Sequence, residues 1–105
     1  MPSLKDRFII EIEKIPGVEN RPSPVAGGSA LFYQGKEFAH FHHDNELDLK
    51  LTRKIILQEG LSQPKDSKVH PSRSANSPWI ELRFSRISDI KAAARLVKLA
   101  IEAMS

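Results

Sequence analysis

The sequence contains no cysteine in its 105 residues. That absence excludes disulfides, thiolate metal ligands and cysteine nucleophiles from these residues, and it leaves the redox compartment unreadable. No unbroken apolar run approaches the roughly 20 residues needed to cross a bilayer. The opening stretch MPSLKDRFIIEIEK carries acidic residues every few positions and has no small-residue cleavage site. It reads as neither signal peptide nor anchor, and a cytoplasmic protein with no membrane partner is expected. The five glycines form no flavin or nucleotide fingerprint, and the adjacent pair Gly27-Gly28 reads as a bend, not a phosphate cradle. Charge of neither sign dominates. Sixteen basic residues against 13 acidic leave a net charge of +3 and a pI near 9.4, a surplus that permits weak nucleic-acid contact without pointing to it.

What is present is ordinary for a globular chain: 40% hydrophobic and 28% charged residues, enough for one core and a single domain over residues 1–105. Ser3 followed by Asp6 resembles a capping box. Leu4, Phe8, Ile12 and Ile15 then recur at helical spacing until Pro16-Gly17, which predicts a first helix over roughly residues 4 to 15. Clusters of proline and glycine keep the chain extended or turning as far as Gly28, with Val18 and Val25 marking short strand pairings. Ser29 to Gln34, Glu37 to His42 and Glu46 to Leu51 read as a three-stranded antiparallel meander, its first turn at Gln34-Gly35-Lys36. Thr52 caps a short helix over Arg53 to Glu59, which Gly60 and Leu61 close. Ser62 to Pro78, rich in Ser, Pro, Lys and Asn, is long for a plain loop and predicts a functional loop or a short strand near Val69. Trp79 to Phe84 alternates cleanly, with Ile80, Leu82 and Phe84 on one side and Trp79, Glu81 and Arg83 on the other. Ser88 caps a final helix to about Met104, with Ile90, Ala93, Ala94, Val97, Ile101 and Met104 inward and Lys91, Arg95 and Lys98 outward. The order helix, strands, helix, strand, helix predicts an α+β fold, an antiparallel β-sheet with helices packed on one face.

The densest chemistry lies in FAHFHHDNELDLKL, Phe38 to Leu51, which holds three of the four histidines. Leu47, Leu49 and Leu51 point one way and Glu46, Asp48 and Lys50 the other. A loop of His43-Asp44-Asn45 sets position 42 opposite 46 and 40 opposite 48, so His40, His42, Glu46 and Asp48 share one polar patch while Ala39 and Phe41 join the leucines. A two-residue loop would push both histidines onto the leucine face, a slip that burial of that face opposes. Asn45 can supply the left-handed residue that the longer loop needs. If the Trp79 strand joins this hairpin, Trp79, Glu81 and Arg83 lie on the same exposed or pocket-lining face.

Pro16 to Val18, the paired glycines before a strand, GKEFAHFH (Gly35 to His42), ELDLKLTR (Glu46 to Arg53), His70-Pro71-Ser72, PWIELRF (Pro78 to Phe84) and the closing helix together resemble the small bacterial proteins catalogued as the luciferase domain family. The similarity runs from Ile15 onward. Ser77-Pro78 stands where that family usually has a small polar residue and glycine. More distantly, the glycine-lysine-phenylalanine strand, the L-x-L-K strand and the strand opening with Trp are similar to the YjbR/MmcQ family. That resemblance implies a double-wing, frataxin-like sandwich and, by analogy, DNA association.

His40 and His42 opposite Glu46 and Asp48 have ligand types suited to Zn, Ni or a similar ion, and the same groups serve acid/base chemistry. The spacing is permissive, because alternate strand residues occur everywhere; histidines bonded to carboxylates on a solvated sheet face are the favoured account of it, and no residue is assigned to a metal. His43 falls in the turn. No nucleophile stands out, since the serines lie in loops without a spacing signature. Trp79 beside Arg83 is placed to stack a ring or to cover the sheet edge, and His70-Pro71-Ser72-Arg73 belongs to a loop able to fold over the patch. A light-emitting oxygenase needs a cofactor site or a large aromatic pocket, and neither is visible in these residues. The expectation is a small non-catalytic binding module holding an unspecified small molecule or protein on His40, His42, Asp48, Trp79 and Arg83, with no cofactor specified. A metal-binding or acid/base enzyme using His40, His42 and Asp48 is the alternative, and a DNA-associated protein the second.

Overall fold

The computed structural model of the chain describes residues 3–22, 28–42, 45–63, 74 and 76–104. Helix α1 (Leu4–Glu13) starts where the sequence places it, on a capping box in which the Ser3 hydroxyl accepts from the Asp6 amide at 3.1 Å and the Asp6 carboxylate accepts from the Ser3 amide at 3.3 Å. It ends at Glu13, two residues before the expected boundary. Pro16-Gly17 already governs the turn there, and the Ile15 side chain still packs against the core from outside the helix.

Strands β1 (Val18–Pro22), β2 (Ser29–Tyr33), β3 (Lys36–His42), β4 (Glu46–Lys50) and β5 (Trp79–Arg83) form one sheet in chain order, every neighbour antiparallel. Gln34 and Gly35, both with positive φ (50° and 83°), make the two-residue turn between β2 and β3, the backbone shape whose twist matches that of the flanking strands. Short helix α2 (Arg53–Gln58) follows β4. Thr52 caps it, its hydroxyl accepting from the Ile55 amide at 3.2 Å. Gly60, at φ 67°, closes it with paired bonds from its own amide to Leu57 and from the Leu61 amide to Ile56, so the expected glycine cap is present.

Helix α3 (Ile87–Met104) begins one residue before Ser88, so Ser88 lies inside the first turn and does not cap it. The cap comes from Asp89, whose carboxylate accepts from the Ser85 and Arg86 amides at 3.0 and 3.2 Å and from the Ser85 hydroxyl at 3.3 Å. The carboxylate satisfies amides just ahead of the helix, whereas a capping serine accepts from amides inside the first turn, and it does so with charge. The Ser85 amide bond holds the Asp89 carboxyl below its ordinary pKa; against some opposing desolvation, the amide and charge of Arg86 add to the effect.

One face of the sheet carries the core. Leu31, Ala39, Phe41, Leu47, Leu49 and Ile80 are buried against Phe8 and Ile12 of α1 and against Ile90, Ala93, Val97, Ala100 and Ile101 of α3. Phe8 stacks on Phe84 at 5.7 Å between ring centroids and meets Phe41 edge-on at 5.9 Å. The expected inward stripe of α3 is joined by Leu96 and Ala100, while Leu82 and Met104 are only partly buried. Each fully buried Leu, Ile or Phe contributes about 1.5–3 kcal/mol, so this side of the sheet fixes its register. The fold is thus α+β, a five-stranded antiparallel sheet with helices packed against it. Among the described residues no helix is long and apolar enough to cross a membrane. Val25, the turn at His43, the strand near Val69 and the segment His70-Pro71-Ser72-Arg73 lie outside the described residues.

Candidate functional site

The opposite face of the sheet gathers the polar side chains, and the hairpin register decides which. His42 pairs with Glu46, His40 with Asp48, Phe41 with Leu47 and Ala39 with Leu49, the arrangement expected of the three-residue loop. Strand β5 continues the ladder, with Asp48 opposite Glu81 and Glu46 opposite Arg83. One cross-sheet row therefore reads Ala30, His40, Asp48, Glu81. On the β1 side the row continues to Arg21, opposite Ala30.

Within the row His40 Nε2 stands 3.4 Å from Asp48 Oδ2. The ring of His42 meets that of His40 edge-on, with centroids 4.8 Å apart, and the Trp79 ring lies 5.3 Å from His40 at a tilt of 43°. Arg83 serves Glu81, its Nε donating to Oε2 at 3.2 Å and its second nitrogen lying 3.1 Å from the same oxygen, with Glu46 at 3.8 Å. His40, His42, Asp48 and Trp79 thus converge, and Arg83 holds the acidic neighbour.

Two features depart from what alternation implies. The first is burial. A face expected to be exposed or pocket-lining contains Asp48 and Glu81 with side chains only 2% and 1% exposed, and His40 is itself largely covered. Replacing Asp48 is therefore not a neutral surface change. The second is Glu37. Its Oε1 lies 3.6 Å from His40 Nδ1, although residues three apart on a regular strand point to opposite faces. A β-bulge resolves this. Leu31 pairs with Ala39 but Phe32 pairs with Glu37, so Phe38 is an extra residue in β3, fully buried in the core cluster. The consecutive apolar residues Phe38-Ala39, followed by Phe41, break strict alternation and are the sequence signal for it.

The chemistry available is a half-buried imidazole with a carboxylate near each ring nitrogen, a second imidazole and an indole alongside. Among the described residues His40, His42 and Asp48 can each turn one ligand atom to within 4.8 Å of the others.

Elsewhere, α1 and α3 border a groove of about 600 Å³ lined by Ile10, Ile87 and Ala94 and rimmed by Arg7, Lys91 and Lys98. It lies on the helix layer, away from the imidazoles. The outward basic stripe expected on α3 is present and exposed, but Arg95 is engaged by Glu59 at 2.5 Å.

A family model described as "Luciferase domain" matches residues 35–100, more than half of the chain, and every residue of the polar patch from Glu37 to Arg83 lies within the matched span. No curated protein and no solved structure matches the chain.

Proposed function

Since the chain belongs to the luciferase-domain family, we propose that the segment defining it is a small binding module whose polar sheet face holds a ligand between His40, His42, Asp48 and Trp79, with Arg83 steadying the acidic neighbour Glu81. The observation that carries this reading is the row His40, Asp48, Glu81. A folded chain has no structural need to set an imidazole and two buried carboxylates side by side, because buried charge is costly unless it is paired. Such a row supports recognition of a polar ligand that bonds to both imidazole and carboxylate, and the Trp79 ring supplies a flat apolar wall for a ring on that ligand.

Trp79 is the sole tryptophan, so its fluorescence reports on the site directly. Titration with a panel of hydroxylated aromatic compounds and small organic anions is expected to give a saturable change for at least one class, and His40→Ala is expected to abolish it. Saturable binding that persists unchanged in His40→Ala, or no saturable response to any class, refutes the assignment of this face.

A second reading, an enzyme using acid/base chemistry, draws on one specific observation: His40 has Asp48 at one ring nitrogen and Glu37 near the other. Carboxylates so placed select a tautomer and stabilise the imidazolium. Conversion of a bound compound, lost in His40→Gln while binding persists, separates this reading from the non-catalytic one. DNA association, the remaining alternative, draws on the double-wing analogy and on the exposed Lys91 and Lys98 of α3.

A further inference from the structure

We propose that His40, His42 and Asp48 form the site of one divalent first-row transition-metal ion, held by two imidazole nitrogens and one carboxylate oxygen with a coordination position left for an outside ligand. The inference deepens the binding reading of the same face and rests on it.

The distances favour an ion over a direct hydrogen bond. His40 Nε2 and Asp48 Oδ2 are 3.4 Å apart, beyond the roughly 2.7–3.2 Å of an N–H···O bond. Two donors at about 2.1 Å from a tetrahedrally coordinated ion lie about 3.4 Å from each other. His42, on the same strand face and one ring away, brings its donor atom within 4.8 Å of the other two, so a modest side-chain rotation closes the triangle.

The surroundings are those a metal-bound histidine uses. A ligating imidazole commonly presents its second nitrogen to a carboxylate that fixes its tautomer, and the Phe38 bulge brings the Glu37 carboxylate to 3.6 Å from His40 Nδ1. Asp48 is nearly inaccessible and faces the buried Glu81 across the ladder. A dipositive charge beside that pair would also offset the repulsion between the two carboxylates. Mixed imidazole and carboxylate donors suit zinc, cobalt or ferrous iron, whereas calcium and magnesium favour all-oxygen sites.

The test uses the full chain stripped with a chelator and titrated with Co²⁺, which reports four-coordinate binding by intense visible absorption. One equivalent is expected to bind, and Zn²⁺ but not Mg²⁺ is expected to displace it. His40→Ala and His42→Ala are expected to weaken binding by more than about 100-fold, and Glu37→Gln by about 10- to 100-fold at unchanged stoichiometry. Asp48→Asn, nearly isosteric, keeps the test open should an alanine variant fail to fold, and is expected to lose the absorption while retaining the native circular dichroism. Absence of a one-to-one complex overturns the proposal. So does binding that survives His40→Ala but is lost in His43→Ala or His70→Ala. A metal-free protein that shows the Trp79 response to organic ligands, combined with no metal binding, defeats the metal site alone and leaves the binding module standing.

Discussion

Asp48 and Glu81 face each other across neighbouring strands with both carboxylates withdrawn from solvent. Like charges directly opposed on a sheet are destabilising unless something offsets them. Here the compensation is divided, with His40 beside Asp48 and Arg83 bonded to Glu81. Each carboxylate thus has a nitrogen-bearing side chain of its own beside it. Glu81→Ala removes the Arg83 bonds and is expected to cost about 1–3 kcal/mol, the range for a buried hydrogen-bonded charge, read from the midpoint of urea unfolding. An unshifted midpoint would show that the Arg83 contact contributes nothing to the fold.

Leu49 is fully buried beneath the helices, whereas Leu82, on the same face, is only partly covered. Leu49→Ala is expected to destabilise by about 2–5 kcal/mol and Leu82→Ala by less, because truncation at a half-open site leaves a smaller cavity. Thermal unfolding of the two variants checks the order. Equal losses would contradict the difference in burial.

Asp89 provides a pH dependence with a definite sign. Its pKa is lower in the folded chain than its ordinary value of 3.8. Its contribution is therefore fully present above that ordinary value and is lost as pH falls through the still lower folded value. Asp89→Ala should unfold at a lower temperature than the parent near neutral pH, and the gap should narrow in strongly acidic buffer. A gap that is constant across that range would show that the helix cap acts without its charge.

Binding of duplex DNA through Lys91, Arg95 and Lys98 would fall steeply with salt, because each neutralised phosphate releases counterions. Only weak retention at low ionic strength is expected, since Arg95 is already engaged by Glu59. Tight binding at physiological salt that disappears when the three residues are replaced together would reverse the ranking of functions.

The leucine alternation of β4 was enough to read the His40–Asp48 register, because a buried apolar face penalises any slip. The same logic failed at Glu37. Alternation presumes a regular strand, and an extra residue at Phe38 exchanges the faces on its N-terminal side. Periodicity also says which face a residue occupies without saying whether that face is covered, which is why the burial of Asp48 and Glu81 was not legible. At the start of α3, Ser85, Ser88 and Asp89 all have capping chemistry, and only the backbone geometry decides among them.

The bulge at Phe38 has a consequence for how the site tolerates changes in chain length. The Gln34-Gly35 turn sets the register on one side of it, and the hairpin between His42 and Glu46 sets the register on the other. The extra residue is the junction where the two countings meet. Deleting Phe38 would leave His40 opposite Asp48 and Glu37 opposite Phe32, and with Glu37 then two residues before His40 ordinary alternation keeps both on the polar face; the loss falls on the core, which gives up a fully buried phenylalanine. The bulge therefore lends the core an additional aromatic side chain without taking the Glu37 carboxylate from the opposite face.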